Sequence, residues 1–325
     1  MTDVVIPQPI HPDGVDLLRR AGLWVFEAPD PSLAVLSPHL AHARAVITRN
    51  LGFCARAMAA APHLRVIVSH GTGTDAIDTR EAAARGIAVF NTPGTNARSV
   101  AEHALALMLA CARSIPAADR AVRAGDFAFR ERARPVELGG RVLGLIGYGR
   151  TARALAGLAQ GIGMKVLACS AHASASGMAA DGVTVMRDAD ALMGAADVVS
   201  LHGIPGQAPV IDAARLARMR PGAILINTAR GALVDAGALI AALQSGHLRA
   251  AALDVFASEP LAADDPLCRC DCPGLILTPH MGGSADEARV RTATAAALQV
   301  IAGLGLPLPD TVQPLHAPPR DKGQA

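Results

Sequence analysis

The segment 141-RVLGLIGYGRTARALAGL-158 restricts the fold more than any other part of the chain. A short apolar run ends at Ile146, Gly147-Tyr148-Gly149-Arg150-Thr151-Ala152 follows at once, and an alanine-rich stretch with helical spacing comes next. This is G-x-G-x-x-[G/A] in its informative setting, a strand that ends in a glycine turn and opens a helix. The first glycine makes the tight turn, the second lets backbone approach a pyrophosphate, and the small third residue lets helix pack on strand. The free N–H groups at the helix start then meet the anion. Gly147, Tyr148, Gly149, Arg150 and Thr151 are therefore candidate dinucleotide-binding residues.

The surrounding pattern extends this unit in both directions. Apolar segments at Thr2–Ile6, Leu23–Phe26, Ala45–Thr48, Val66–Ser69 and Ala88–Asn91 read as strands, with helical spacing at Val15–Ala21 and at Asp78–Arg85, which Gly86 closes. A long helical pattern runs from Ala97 or Ser99 to about Arg113. A second series follows, with strands at Val142–Ile146, Lys165–Cys169, Asp197–Leu201, Ala223–Asn227, Ala250–Asp254 and Leu275–Thr278. Helices are expected from about Thr151, at Ala213–Met219, at Ala236–Ser245 and from about Ser284 to Gly303, while 316–325 reads as a frayed tail. Strand and helix in alternation argue for parallel α/β sheets, and 325 residues suit two domains of about 100–200 residues each.

Composition excludes several classes. A net charge of +2, with 18% charged residues and no Lys/Arg run, argues against a nucleic-acid partner. The opening MTDVVIPQPIHPDG is not a secretory signal, and no apolar stretch reaches the ~18 residues of a membrane-spanning helix. Cys54, Cys111, Cys169, Cys268, Cys270 and Cys272 are too sparse for a disulfide framework, which fits a cytoplasmic location. Cys268-Arg-Cys270-Asp-Cys272 invites a metal reading. Structural zinc needs four ligands, however, and alternate residues of an extended segment point to opposite faces, so no metal is expected there.

The fingerprint ordinarily continues, ~20 residues on, to an acidic residue that holds the ribose 2′-hydroxyl. Here Ser170 stands in that place, with His172 nearby. Without a carboxylate a 2′-phosphate is no longer repelled, so either NAD or NADP is expected to bind, with NADP modestly favoured. Three later segments carry residues suited to a carboxylate-bearing ketone. In 226-INTARGALVD-235, Arg230 offers a planar fork for a carboxylate; in 252-ALDVFASEP-260, Glu259 follows a strand; in 278-TPHMGG-283, His280 does the same. All three are expected beyond the carboxyl ends of strands, where open α/β sheets bind ligands.

With these motifs in order, the chain resembles the D-isomer-specific 2-hydroxyacid dehydrogenases, the family of phosphoglycerate dehydrogenase and of hydroxypyruvate and glyoxylate reductases. The resemblance runs from 69-SHGTGTDAID-78 through 91-NTPGTNARSVAEHALALML-109, INTARG, LDVF-x-x-EP and TPH-x-GG to the last helix. It implies two Rossmann-like doubly wound α/β domains, the cofactor domain inserted into a flavodoxin-like substrate domain. Residues 1–100 would open the substrate domain, 101–281 would bind NAD(P), 282–315 would close the substrate domain, and 316–325 would be a flexible tail.

The resemblance also implies roles. Arg230 would bind the substrate carboxylate and polarise the 2-keto oxygen, His280 would protonate that oxygen, and Glu259 would orient the imidazole and stabilise its charged form. N–H groups at Thr72 and Gly73 would complete the carboxylate site, and Thr228 and Asp254 would meet the cofactor, Asp254 at the nicotinamide carboxamide. Hydroxypyruvate or glyoxylate leads as substrate, with 3-phosphoglycerate behind. The stretch 201-LHGIPGQAPVID-212 departs from the family's threonine pattern, which weakens His202 as a cofactor neighbour. A homodimer is expected through about 101–135, with Phe127 and Phe129 as anchors. The alternative is a corepressor-like protein that senses NAD(H) on the same fold; formate dehydrogenase fits less well, because Glu259 stands where that enzyme has Gln.

Overall fold

The computed structural model describes residues 2–171, 175–203, 206 and 208–309. The expected tail at 316–325 and His172 lie outside these described residues. The chain forms two compact units, Met1–Asn96 together with Asp286–Ala325, and Ala97–Ala285.

The first unit is built on β1 (Val4–Ile6), β2 (Val25–Glu27), β3 (Ala45–Thr48), β4 (Val66–Ser69) and β5 (Ala88–Phe90). All pairs are parallel, in the order β2-β1-β3-β4-β5, the flavodoxin-like arrangement. Every residue of β1, β3 and β4 is buried, as expected for central strands covered by helices on both faces. On one face the helix Pro12–Arg20 packs with the closing helix Asp286–Gly303 through a cluster that includes Leu17, Leu18, Ala293, Ala296 and Ala297. Their approach depends on small residues, since a Cβ on Gly14 would lie 2.6 Å from the Ala293 carbonyl oxygen. The other face is covered by Leu36, Leu40 and Met58.

The second unit carries β6 (Val142–Ile146), β7 (Lys165–Cys169), β8 (Thr184–Val185), β9 (Val198–Leu201), β10 (Ala223–Asn227), β11 (Leu248–Leu253) and β12 (Leu275–Leu277). Their order is β12-β11-β10-β9-β6-β7-β8, all parallel. Counted from β6 this is the doubly wound 3-2-1-4-5-6 order with one strand added, and the order reverses between β6 and β9. The helix Ala97–Arg113 shares a core with the helix Arg150–Gly161, where Ala101, Ala104 and Met108 meet Ala152, Ala156 and Ala159. Both sheets are of the α/β class the alternation implied.

Several elements differ from expectation. The helix Leu33–Leu40 leaves no clear signal because Pro38 interrupts its pattern. The two-residue strand β8 and the helix Ala189–Ala195 are too short for a periodic signal. Pairing of β2 begins at Val25 rather than Leu23, although Leu23 is buried, and β11 begins at Leu248, just after Gly246 ends the preceding turn. The closing helix starts at Asp286. Among the described residues, no single helix is long and apolar enough to cross a membrane.

Candidate active site

Three neighbouring strands, β10, β11 and β12, lead into the loops that carry Arg230, Glu259 and His280. Register aligns Asn227 with Leu253 and Leu253 with Leu277, so the three loops leave the sheet side by side at its carboxyl edge. The side chain of Asn227, fully buried at the end of β10, shapes the first loop. Its Nδ2 donates to the Arg230 carbonyl (2.8 Å) and its Oδ1 accepts from Ala229 N–H (3.1 Å). The Arg230 guanidinium donates to the Ala229 carbonyl through Nη1 at 2.7 Å.

The second and third loops meet at a hydrogen bond. Glu259 Oε2 lies 2.6 Å from His280 Nδ1, while Oε1 accepts from Phe256 N–H at 3.0 Å. A carboxylate only accepts, so the pair places a proton on Nδ1 and leaves Nε2 as the nitrogen that faces outward chemistry. His280 has φ +50°, a left-handed state that costs a non-glycine residue about 1–3 kcal/mol and that clusters at functional sites. The side chains of His280 and Glu259 are 36% and 26% exposed, open enough to meet a ligand.

Asp254, expected at the nicotinamide, is buried and engaged within the chain. Its carboxylate accepts from the Thr278 hydroxyl (2.6 Å), from Met281 N–H (2.9 Å) and from Gly282 N–H (2.8 Å). Burial alone would raise its pKa, but the hydrogen bonds from His103, Thr278, Met281 and Gly282 together hold it below the usual carboxylate range. A cofactor contact would have to share this carboxylate with the turn that carries His280.

The glycine turn sits at the switch point. Gly147 has φ +90°, and a Cβ there would lie 2.7 Å from the His202 carbonyl oxygen, so that strand-end neighbour requires glycine. His202 itself is half-buried, its Nε2 3.0 Å from Ser200 Oγ, and burial pushes its pKa down to about 4. Gly149 is different, because a Cβ there would meet no atom within 4 Å among the described residues. The helix it opens has no side-chain cap. Uncapped N–H groups beside an uncrowded glycine suit a bound pyrophosphate. Arg150 and Thr151 occupy that first turn.

The side chain of Tyr148 is engaged within the chain. It is buried in the core, and its hydroxyl donates to Asp181 at 2.8 Å beneath Arg153. Burial and the Asp181 carboxylate push its pKa up to about 12. Tyr148 also lines an open groove of about 490 Å³ with Gly149, Arg150, Arg153 and Ala154. Ser170 follows β7 directly, beside the turn, since Gly147 N–H donates to the Cys169 carbonyl at 2.8 Å. Thr228, two residues before Arg230, presents a buried hydroxyl with no hydrogen-bond partner among the described residues, a polar atom that a cofactor group would satisfy. The residues present therefore fit a nicotinamide dinucleotide.

Thr72 and Gly73 lie in the other unit, on the loop after β4. Its carbonyls are taken within the unit. Ser69 Oγ donates to the Gly73 carbonyl (2.5 Å), Asn91 Nδ2 to that of Thr72 (2.7 Å), and Thr92 N–H to that of Gly71 (2.9 Å). The loop thus offers N–H groups, the polarity an anion needs. His70 beside it is half-buried, its buried Nε2 without a partner among the described residues; burial first and the charge of Arg49 second push its pKa down to about 4. Sequence reasoning misses Asn227, Thr278 and Gly231 as site residues, because their contacts exist only once separate strand ends come together.

Comparison with known proteins bears on the family of the chain. The profile described as D-isomer specific 2-hydroxyacid dehydrogenase, NAD binding domain, matches residues 105–282. The chain is 35% identical over 323 residues to a D-3-phosphoglycerate dehydrogenase of Archaeoglobus fulgidus, covering 98% of this chain and 60% of that one. It is 36% identical over 287 residues to a glyoxylate reductase of Korarchaeum cryptofilum, covering 86% and 85%. The chain thus spans about three-fifths of the archaeal phosphoglycerate dehydrogenase. Among solved structures, the TT0316 protein of Thermus thermophilus matches at a TM-score of 0.81 and 33% identity, over 95% of this chain and 99% of that one. The NADPH-dependent glyoxylate/hydroxypyruvate reductase of Sinorhizobium meliloti matches at 0.79 and 26%, over 95% and 97%. The protein belongs to the D-isomer-specific 2-hydroxyacid dehydrogenases, an oxidoreductase family with a nicotinamide-binding domain.

Proposed function

We propose that the protein reduces a small 2-ketoacid to the D-2-hydroxyacid, with hydroxypyruvate or glyoxylate as first substrate and 3-phosphoglycerate, in the reverse direction, next. The observation that carries this reading is the His280–Glu259 contact at 2.6 Å on a strand end adjacent to that of Arg230. His280 Nε2 gives its proton to the 2-keto oxygen, Glu259 holds the ring by Nδ1 and stabilises the imidazolium, and Arg230 grips the carboxylate through its fork. When bound, the nicotinamide supplies the hydride. Gly147 makes the turn, Gly149, Arg150 and Thr151 would hold its pyrophosphate by backbone, Thr228 and Asp254 would meet its nicotinamide end, and Ser170 would meet its ribose. With no carboxylate at Ser170 both cofactors serve, NADPH modestly better.

An NAD(H)-sensing role on the same fold is the weaker reading, since it gives the Arg230, Glu259 and His280 arrangement no task. Absorbance at 340 nm with a panel of 2-ketoacids and both reduced cofactors tests the proposal. Turnover of hydroxypyruvate or glyoxylate is expected, and cofactor binding with no turnover of any member would reverse the choice. We place the protein in the cytoplasm, in keeping with its free thiols.

A homodimer through 101–135 belongs to the same reading. The helix Ile115–Arg123 buries no residue within the chain, and Ile115, Val122 and Phe127 are exposed, an apolar strip suited to a partner. Arg130 lies over the Phe127 ring and Arg132 over Phe129. Light scattering at micromolar concentration is expected to give twice the chain mass; a monomer would exclude the dimer.

A further inference from the structure

We infer that His103, on the helix Ala97–Arg113, is a positioning residue for His280, acting through Thr278 and Asp254. The inference rests on the reading above, in which His280 delivers the proton.

The turn at His280 is gripped on both sides by one carboxylate. Thr278 precedes His280 by two residues and gives its hydroxyl to Asp254 Oδ1 (2.6 Å); Met281 and Gly282 follow it and give their N–H groups to Oδ1 (2.9 Å) and Oδ2 (2.8 Å). Between these grips His280 takes its left-handed φ of +50°. The backbone state of the acid therefore depends on where the Asp254 carboxylate stands.

His103 determines that place from the far side. Its Nε2 lies 3.1 Å from Thr278 Oγ1 and 3.3 Å from Asp254 Oδ1. The Thr278 hydrogen is committed to Asp254, and a carboxylate offers none, so Nε2 must be the donor to both. One N–H thus fixes the hydroxyl and the carboxylate in a single orientation. Ser99, one helical turn earlier on the same face, donates to the Gly282 carbonyl at 2.6 Å. Gly282 itself has no room to move inward, since a Cβ there would lie 3.0 Å from Asp254 Oδ2 and 3.4 Å from His103 Cδ2. The helix face of Ser99 and His103 is a fixed wall against which the His280 turn is set.

A histidine that only fills space would be replaceable by an apolar residue of similar size. A positioning histidine would not be, but an amide that restores the donor would serve. The test compares wild type, His103→Leu and His103→Gln in the full chain, by steady-state kinetics on the 2-ketoacid turned over best and by hydrogen–deuterium exchange of the segment 278–283. The Leu variant is expected to lose about ten- to a hundredfold in kcat, as small misplacement of a reacting group does. Its KM and its cofactor affinity should stay within about twofold of wild type, and Met281 and Gly282 should exchange at least about tenfold faster. The Gln variant should recover most of both effects. Wild-type kcat and exchange in the Leu variant would overturn the inference, as would parallel losses in kcat, KM and melting temperature that Gln does not repair. If the wild-type protein turns over no 2-ketoacid, the functional reading fails first, and unchanged exchange in His103→Leu would still reject the brace by itself.

Discussion

A Cβ placed on Gly231 would lie 1.9 Å from the carbonyl carbon of Phe256 and 2.3 Å from Ala257 N. Gly231 follows Arg230, and Phe256 supplies the N–H that holds Glu259 Oε1 at 3.0 Å. The absent side chain therefore sets the spacing of two loops that carry different functional groups. Gly231→Ala must push them apart, at a cost of about 1–3 kcal/mol for overpacking against backbone. A lower melting temperature is expected, with kcat reduced more than cofactor affinity. Wild-type kcat/KM in this variant would mean that Arg230 and Glu259 are placed independently.

The proposed proton donor makes a second prediction. His280→Ala is expected to lower kcat by ~10²–10⁴ while cofactor binding stays close to wild type. Glu259→Gln keeps an acceptor for Nδ1 but removes the charge that stabilises the imidazolium, so kcat should fall with little change in KM. Fluorescence titration of the reduced cofactor separates binding from chemistry in both variants. Normal turnover in His280→Ala would remove the residue from the mechanism.

The proposed cofactor choice turns on Ser170, which follows β7 beside Gly147. A carboxylate there would accept from the ribose hydroxyls and repel a 2′-phosphate. Ser170→Asp is therefore expected to shift the ratio of kcat/KM values toward NADH. The comparison needs both cofactors in both proteins. An unchanged ratio, or a wild type that strongly prefers NADH, would show that another residue meets the ribose.

Stability should depend on pH in a defined window. Burial holds His202 at about 4 rather than 6.5, and burial with Arg49 does the same for His70. Between those values the unfolded chain binds protons that the folded chain does not, so stability falls as pH drops from 6.5 toward 4 and is level with respect to these groups above 6.5. Urea unfolding midpoints between about pH 7.5 and 4.5 should fall accordingly, and His202→Gln should flatten the slope. A slope identical in the two proteins would assign the acid sensitivity to other groups.

The parts legible in the sequence are those that depend on local repetition. Val142–Ile146 followed by two glycines and a helix can be read without any partner, because turn, strand and helix start are all decided within about ten residues. Arg230, Glu259 and His280 are legible because each sits just after a strand, and a parallel sheet delivers all its strand ends to one edge. The helix Leu33–Leu40 escapes because Pro38 breaks its pattern, and β8 because two residues have no period. Its place in the turn makes Tyr148 a candidate cofactor contact, yet its ring lies in the core and its hydroxyl reaches Asp181, 33 residues away.

The sequence by itself determined the alternation of strands and helices, the glycine turn and the chemical types at the strand ends, since these follow from periodicity and from what each residue can do. Only the tertiary structure decided that β10, β11 and β12 lie side by side, that Glu259 meets His280 Nδ1, and that Asp254 is turned inward to hold the turn beyond it. The physical reason is range. A side-chain hydrogen bond between residues 21 or 28 positions apart depends on strand order and loop closure together, and neither leaves a periodic trace along the chain.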